Sequence, residues 1–311
     1  MIVKYSANRS WAPHGEDRPL IDVVCVIVCY RPVVSTLLSL CEYILADGAK
    51  VILVDNTEQP YLVADRLPIG CSLVTLGHNS GIAHAQNIGV EQALEVGAAI
   101  VVFFDQDSTI GVGFLRALVA PLDPSLPEIT SPQYIDDDSN AVLPSLRLNR
   151  YGLTKAIHRT DAQRPYPVDI VISSGTAATK EVFKIAGRFD EALFIDGVDT
   201  EWCLRCRSMG IPIYVVPLAT MRHRIGSRSV RIGSFTVHIH SPVRCYYQLR
   251  NCFQLMHKPH VPRLFALAHM VSVAFSRMLL LFLVEERFAY LNAYVLAVCD
   301  GFKGVVGAKP T

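Results

Sequence analysis

The sequence predicts a mostly parallel α/β sheet with helices on both faces, followed by a helical and strongly apolar C-terminal region. Three observations lead there. Short apolar runs alternate with helix-spaced segments through the first hundred residues. Polar and acidic residues stand at the ends of those runs, where ligands collect in such sheets. From Pro242 onward the pattern is helical and rich in Leu, Val, Phe and Ala.

The elements follow in order. Val23–Cys29 is apolar throughout, as a strand buried on both faces must be. A helix is expected from Val33 to about Ala46, with Gly48 as its stop signal. Residues 51–54 form a second strand ending in Asp55 and Asn56, and residues 72–76 a third. Residues 82–96 have helical spacing, and Ile100–Phe104 is the fourth strand. Tyr30, Asp55 and Asp105 therefore all fall at carboxyl ends of strands. Further on, residues 167–172 read as a strand running into Ser173, Ser174 and Gly175, small residues that suit close approach of a ligand. Residues 179–187 and 199–209 look helical. Residues 211–216 read as a short strand leading to a basic loop over 221–228.

Leu264–Val284 is long enough to consider as a membrane span, broken only by His269, Ser272, Ser276 and Arg277. Those four share one broad helical sector. An interfacial helix with basic neighbours fits this pattern better than a span; a buried bundle helix is the alternative.

The 311 residues carry a net charge of +1, but unevenly. Residues 1–201 hold 25 acidic and 15 basic side chains, whereas residues 202–284 hold eleven Lys and Arg and no Asp or Glu. The expectation is a metal-binding pole facing a phosphate or lipid-headgroup pole. Nothing in the pattern points to nucleic acid. Nine cysteines, several in apolar runs, and an N-terminus without an apolar signal core suggest a reduced, cytoplasmic chain. Cys203 and Cys206 form a Cys-x-x-Cys, but no second pair follows at zinc spacing, so they read as buried small hydrophobes.

The most informative segment is D-Q-D-S at 105–108, directly after the fourth strand. On an extended chain the carboxylates of Asp105 and Asp107 point to one side and repel unless a cation compensates them. Mg²⁺ and similar hard ions take such oxygens and complete their shell with substrate phosphates. A polar turn capping the next helix is the bland reading of the same residues.

Several segments occur together in a telling order: C-Y-R-P at 29–32, V-D-N at 54–56, N-S-G-I-A-H-A-Q-N at 79–87, F-F-D-Q-D-S at 103–108, I-S-S-G at 172–175 and F-I-D-G-V-D-T-E-W-C-L-R at 194–205. This order resembles glycosyltransferase family 2, in particular its bacterial L-rhamnosyltransferase branch, over roughly residues 22–305. The resemblance implies a GT-A fold and inverting transfer from a nucleotide sugar, dTDP-L-rhamnose in that branch. It also implies a glycolipid or lipid-linked oligosaccharide acceptor, and a peripheral position on the inner, anionic face of the plasma membrane. Residues 1–21 would then be an extension and 22–240 the catalytic domain, divided into a nucleotide-binding half (22–110) and an acceptor half (111–240). Residues 241–311 would be the helical region.

By position in the motifs, Asp55 would contact the pyrimidine base and Tyr30 line its pocket. Asn79, Gly81 and Asn87 would shape the loop and helix beside the nucleotide, with Gly175 facing the donor. Asp105 would bind sugar or ribose, and Asp107 would hold Mg²⁺ or Mn²⁺ on the diphosphate. His223, Arg224 and Arg228 would supply further positive charge. The family's base usually lies in a Glu-Asp pair; here Val198 replaces the Glu, leaving Asp199 as base and Asp196 as its competitor. A family 2 enzyme with another donor sugar remains an alternative, as does a non-catalytic sugar-nucleotide-binding protein. A haloacid-dehalogenase-type phosphatase shares the D-x-D-x-T pattern at 105–109, but carries it on its first strand. A nucleotidyltransferase needs a glycine-rich loop after the first strand, and residues 29–34 contain no glycine.

Overall fold

The apolar run at the start becomes the centre of an eight-stranded sheet in a computed structural model that describes residues 20, 22–59, 62–137, 139–223, 229–232 and 235–309. The elements in order are β1 (Val23–Cys29), α1 (Val34–Ala46), β2 (Lys50–Asp55), β3 (Cys71–Thr75), α2 (Ile82–Glu95), β4 (Ile100–Asp105), α3 (Phe114–Val119), β5 (Ile129–Asp136), β6 (Ser145–Leu148), β7 (Thr154–Ile157), β8 (Tyr166–Val168), β9 (Ala177–Thr179), α4 (Lys180–Ala186), α5 (Val198–Ser208), β10 (Ile213–His223), β11 (Ser229–Ile232), β12 (Phe235–His238), α6 (Pro242–His257), α7 (Arg263–Leu280) and α8 (Arg287–Lys303). The sheet order is β3-β2-β1-β4-β9-β5-β10-β8. Six strands run parallel; β9 between β4 and β5, and β8 at the edge, run the other way.

Alternation along β1 explains its unbroken apolar sequence. Val24, Val26 and Val28 pack on one face with α2, α4 and α5, while Cys25, Ile27 and Cys29 pack on the other with α1 and α3. Both faces are covered, so no position along the strand is left for a polar residue.

The structure departs from expectation in four places. The strand expected over 167–172 ends at Val168. From Asp169 the chain leaves β10 and joins β6, because the Asp169 and Ile170 N–H groups donate to Leu146 O (2.9 and 3.3 Å) and the Asp169 carboxylate accepts from the Leu148 N–H (2.7 Å). The strand expected over 211–216 runs on through an irregularity at 216–220 to His223, paired with β5, so residues 221–223 are strand and not loop. Strand β5 carries buried Thr130, Ser131 and Gln133 and has no apolar signature. Strand β9 is three residues long.

Cys203 and Cys206 are buried on α5, and burial pushes the Cys203 thiol up to about 12.

Two neighbouring buried side chains, Arg250 and Asn251, are prominent among the ties between the C-terminal helices and the sheet domain. Arg250 of α6 is fully buried and, among the described residues, makes no ion pair with a carboxylate; the nearby Asp300 bonds Tyr246 instead. The Arg250 guanidinium donates to Ala192 O (3.2 Å), Leu193 O (3.0 Å), Gly307 O (2.7 Å) and Asn251 Oδ1 (2.9 and 2.7 Å), against the Tyr246 and Tyr247 rings. Asn251 Nδ2 donates to Leu193 O, Ile195 O and Asp196 O at 2.7–2.9 Å. Together they hold residues 192–196, in which Phe194 and Asp196 take left-handed backbone angles (φ 65° and 64°) that side chains disfavour.

Replacing Arg250 with Met removes the five hydrogen bonds its guanidinium donates and leaves Gly307 O and Asn251 Oδ1 without those donors. It should destabilise the protein by about 3 kcal/mol or more, read as a shift in the urea unfolding midpoint. A loss below about 1 kcal/mol would show that α6 does not hold the loop.

Candidate active site

The carboxyl edge of the parallel strands gathers the expected residues on one side of the sheet. Asp105 is the last residue of β4 and is exposed. The chain does not stay extended after it: the Ser108 N–H donates to Asp105 O at 3.1 Å, closing a turn. The i, i+2 alternation that would aim Asp105 and Asp107 the same way therefore does not apply, although both carboxylates reach solvent. Gln106 between them faces inward, accepting the Tyr30 N–H (2.7 Å) and donating to Tyr30 O (3.1 Å), which locks the end of β1 to the end of β4. The Tyr30 hydroxyl donates to Glu58 (3.0 Å) on the rim, where Arg31 also pairs with Glu58 (3.2 Å).

Asp55 is fully buried, its oxygens accepting from the Thr57 N–H (3.1 Å) and Leu62 N–H (3.4 Å). It therefore shapes the loop after β2. Its neighbour Asn56, part of the V-D-N motif but given no role by the sequence, organises the next loop. Asn56 Oδ1 accepts from the N–H and hydroxyl of Ser80 (2.8 and 2.9 Å), and its Nδ2 donates to Asn79 Oδ1 (3.3 Å) and Gly81 O (3.4 Å). Asn79 Oδ1 also accepts the Gly81 N–H (3.1 Å). Gly81 has φ 87°, and a Cβ there would lie 2.6 Å from the Phe194 ring and 2.7 Å from Phe194 O. That same oxygen accepts the Ile82 N–H at the start of α2 (2.8 Å). Asn87, buried in α2, spends its amide on the Phe189 N–H and O and on Glu191 Oε1.

The second half of the site comes from residues 173–175, which lie along the end of β4. The Ser174 hydroxyl accepts the Asp105 N–H (3.2 Å) and bonds the Ser108 hydroxyl (2.8 Å), while Tyr134 donates to Ser174 O (2.7 Å). Gly175 (φ 79°) admits no side chain because Met221 and Pro132 crowd it; a Cβ would sit 2.8 Å from each. The tight approach expected here is thus made by protein atoms. Ser173 accepts from Gln86 Nε2 (3.0 Å) and donates both its N–H and its hydroxyl to Asp199, at the start of α5.

The two candidate bases differ sharply. Withdrawal from solvent, with the charges of Asp105 and Asp196 adding to it, pushes the Asp199 carboxyl up to about 6 against the opposing hydrogen bonds from Ser173. Asp196 is instead held by Arg244, with N–O distances of 3.0–3.3 Å. Glu201 is buried in contacts with Arg205 (3.0 and 2.7 Å) and His260 (2.8 Å) and faces away from this edge. The backbone of His223 ends β10; Arg224 and Arg228 lie outside the described residues. Gln106 and Arg244 gave no sequence signal beyond their polarity, and Ser173 and Ser174 were noted for their smallness and not for their hydroxyls.

A carboxyl raised from its ordinary 3.8 to about 6 makes the folded state bind the proton more tightly, so stability falls as pH rises through that interval. Asp199→Asn should therefore raise Tm by several degrees at pH 8, and the gain should vanish near pH 4. An Asn variant less stable than the parent at pH 8 would contradict this account.

Residues 21–241 match the model of the glycosyltransferase-like family 2. The chain is 40% identical over 288 residues to the dTDP-rhamnosyl transferase RfbF of Shigella flexneri, covering 92% of this chain and 97% of that one. Among solved structures, TarS (residues 1–349) of S. aureus in complex with UDP-GlcNAc superposes with a TM-score of 0.55 at 14% identity, over 92% of this chain and 82% of that one. GalNAc-T7 with UDP, GalNAc and Mn²⁺ superposes at 0.54 and 16%, over 81% of this chain and 55% of that one. The two structures share the fold, and the matched sequence decides the family: this chain is a glycosyltransferase and belongs to family 2.

Proposed function

We propose that the enzyme moves L-rhamnose from dTDP-L-rhamnose to a hydroxyl of a glycolipid or lipid-linked saccharide, with inversion at the anomeric carbon. The observation that carries the donor is the 40% identity to a dTDP-rhamnosyl transferase along nearly the whole of both chains.

Asp199 is the base in this reading. A carboxylate titrating near 6 is largely ionised at neutral pH yet basic enough to accept a proton as the acceptor oxygen attacks. The acceptor O–H proton passes to Asp199, the new glycosidic C–O bond forms, and the sugar–phosphate C–O bond breaks with its electron pair leaving on dTDP. The ion pair of Asp196 with Arg244, which fixes the loop, favours Asp199 over Asp196 for that role. Tyr30, Asp55, Asn79 and Gly81 frame the nucleotide end. Asn87 and Gly175 act through the loops they hold, and Asp105 faces the sugar or ribose. By the family resemblance His223, Arg224 and Arg228 would add positive charge for the diphosphate; Arg224 and Arg228 lie outside the described residues.

The residues fit a divalent ion. Asp107 is exposed and has no ion pair among the described residues, and no cluster of three His, Cys, Asp or Glu is formed there. That suits Mg²⁺ or Mn²⁺, which take one or two carboxylates and leave the other positions to phosphate and water. Asp107 would hold the ion, whose chemistry when bound is to neutralise charge on the leaving diphosphate.

The apolar C-terminus supports peripheral attachment to the inner face of the plasma membrane. Helix α7 is long and apolar enough to cross a membrane by length and composition, and 22% of it is buried. Leu264, Leu267, Val271, Phe275 and Met278 of α7 are exposed, as are Phe288, Leu291, Val295 and Phe302 of α8. Vesicle flotation should show binding to anionic liposomes that weakens between 50 and 500 mM salt, on the order of the change expected for several basic side chains. Equal recovery with neutral and anionic vesicles would remove the electrostatic part.

Transfer assays over dTDP-rhamnose, UDP-hexoses and GDP-mannose test the donor. Turnover should appear with dTDP-rhamnose and require a divalent ion. Asp107→Ala should lose ion-dependent dTDP binding. Asp199→Asn should keep it and lose transfer by about 10²- to 10⁴-fold. The acidic limb of kcat/KM should lie near pH 6. It should move upward in Ser173→Ala, since that hydroxyl holds the Asp199 carboxyl down. Undiminished transfer by Asp199→Asn would place the base elsewhere.

A further inference from the structure

A second buried arginine faces the same physical problem as Arg250 and does not solve it. Arg277 of α7 is 6% exposed. Its Nη atoms reach Cys245 Sγ (3.2 Å), His238 O (3.4 Å) and Ser276 Oγ (3.0 Å), a thiol, a long carbonyl contact and a hydroxyl. Its Nε has no partner, and no carboxylate pairs with it among the described residues. Burying a guanidinium with so little compensation costs several kcal/mol, unless an anion completes the site.

Space for one lies alongside. Arg277 lines a cavity of about 280 Å³ between α5, α6 and α7, together with His238, His240, His269, Ser272 and Gln248. Its only carboxylate, Asp196, is already taken by Arg244. Gly197 and Thr200, on either side of Asp199, form the wall nearest the proposed base. Burial, with the charge of Arg244 next, pushes the His240 ring down to about 4, and burial pushes the His269 ring down as well, so neither adds a cation beside Arg277 at neutral pH.

Helix α7 buries Phe265, Ala266 and Leu280 but presents apolar side chains to solvent as well. The polar sector legible in its sequence (His269, Ser272, Ser276 and Arg277) lines this cavity, while Leu267, Val271 and Phe275 point outward.

We propose that this cavity binds the phosphate or diphosphate of the acceptor, with Arg277 as its anchor, so that the saccharide reaches Asp199 past Gly197 and Thr200. The proposal rests on the transferase reading above and adds the charged group the acceptor must carry. The outward apolar face of α7 places a hydrocarbon chain attached to that phosphate on the same helix.

The test is calorimetric titration of the full chain with farnesyl diphosphate, farnesol and inorganic pyrophosphate, with dTDP affinity measured alongside. Farnesyl diphosphate should bind and farnesol should not compete with it. Arg277→Met should weaken binding about tenfold or more, the loss expected for a charge-assisted contact. Ser272→Phe, which fills the exposed mouth of the cavity and leaves Arg277 in place, should do the same. Both variants should keep the parent's dTDP affinity, separating this cavity from the donor site. Pyrophosphate binding as tightly as the prenyl compound would identify a free oxyanion as sufficient; a requirement for the chain would identify a lipid-borne one. Both outcomes support an oxyanion site. Undiminished binding in both variants, or farnesol competing equally, overturns it. Arg277-dependent diphosphate binding in a protein that shows no rhamnosyl transfer would overturn the donor reading and leave the cavity assignment standing.

Discussion

The arrangement of this protein hangs on a loop that cannot hold its own shape. Residues 194–197 include three left-handed positions, Phe194, Asp196 and Gly197. Only glycine occupies such angles without cost. The loop keeps them because Arg250 of α6 holds the carbonyls of Ala192 and Leu193 just before it, Asn251 holds those of Ile195 and Asp196 within it, and Phe194 O caps the start of α2 in front. The consequences run in both directions. Forward, Phe194 blocks any side chain at Gly81 and so sets the loop beside the nucleotide end. Backward, α6 begins at Pro242, just past the family-matched segment at 21–241, so the helices beyond that segment are structural parts of the site and not an appendage.

The first half of the fold was legible because its physics is local. A parallel strand covered on both faces must be apolar at every position, and residues 23–29, 51–54 and 100–104 are. The second half was not. Strand β5 is buried but satisfies Thr130 through Leu118 O and Gln133 through Arg159 O, partners that no sequence window contains. Strand β9 is three residues inserted antiparallel between two longer strands. Residues 169–172 have strand composition, yet an aspartate side chain diverts them to another partner.

The same division applies to the site. Asp55, Asp105 and Asp199 stand out in sequence as carboxylates after apolar runs or before a helix. Gln106, Asn56 and Ser174 do not, since an amide or a hydroxyl between loops looks like any polar surface residue. Yet these neutral groups determine the geometry. Gln106 ties β1 to β4, Asn56 fixes residues 79–81, and Ser174 holds the turn at Asp105–Ser108. The extended D-x-D expected from alternation gives way to that turn because the Ser108 N–H and hydroxyl both find partners there.

Charge segregation then acquires a use. Two aspartates three residues apart, with similar sequence credentials, are sent to different chemistry by their surroundings. Arg244, from the carboxylate-free half of the chain, claims Asp196 and pins the loop. Asp199 receives only neutral donors from Ser173, faces the negative charge of Asp105, and is pushed toward neutral pH. Had a second arginine reached Asp199, its carboxyl would fall and its basicity with it. The basic half therefore serves the proposed base as much by where its cations are absent as by where they stand. Arg250 is occupied by carbonyls, Arg244 by Asp196, and Arg277 is turned to a cavity on the other side of Thr200. Among the described residues, Arg277 leaves an excess of positive charge behind the proposed base, in the place where an anionic acceptor group would draw its saccharide toward Asp199.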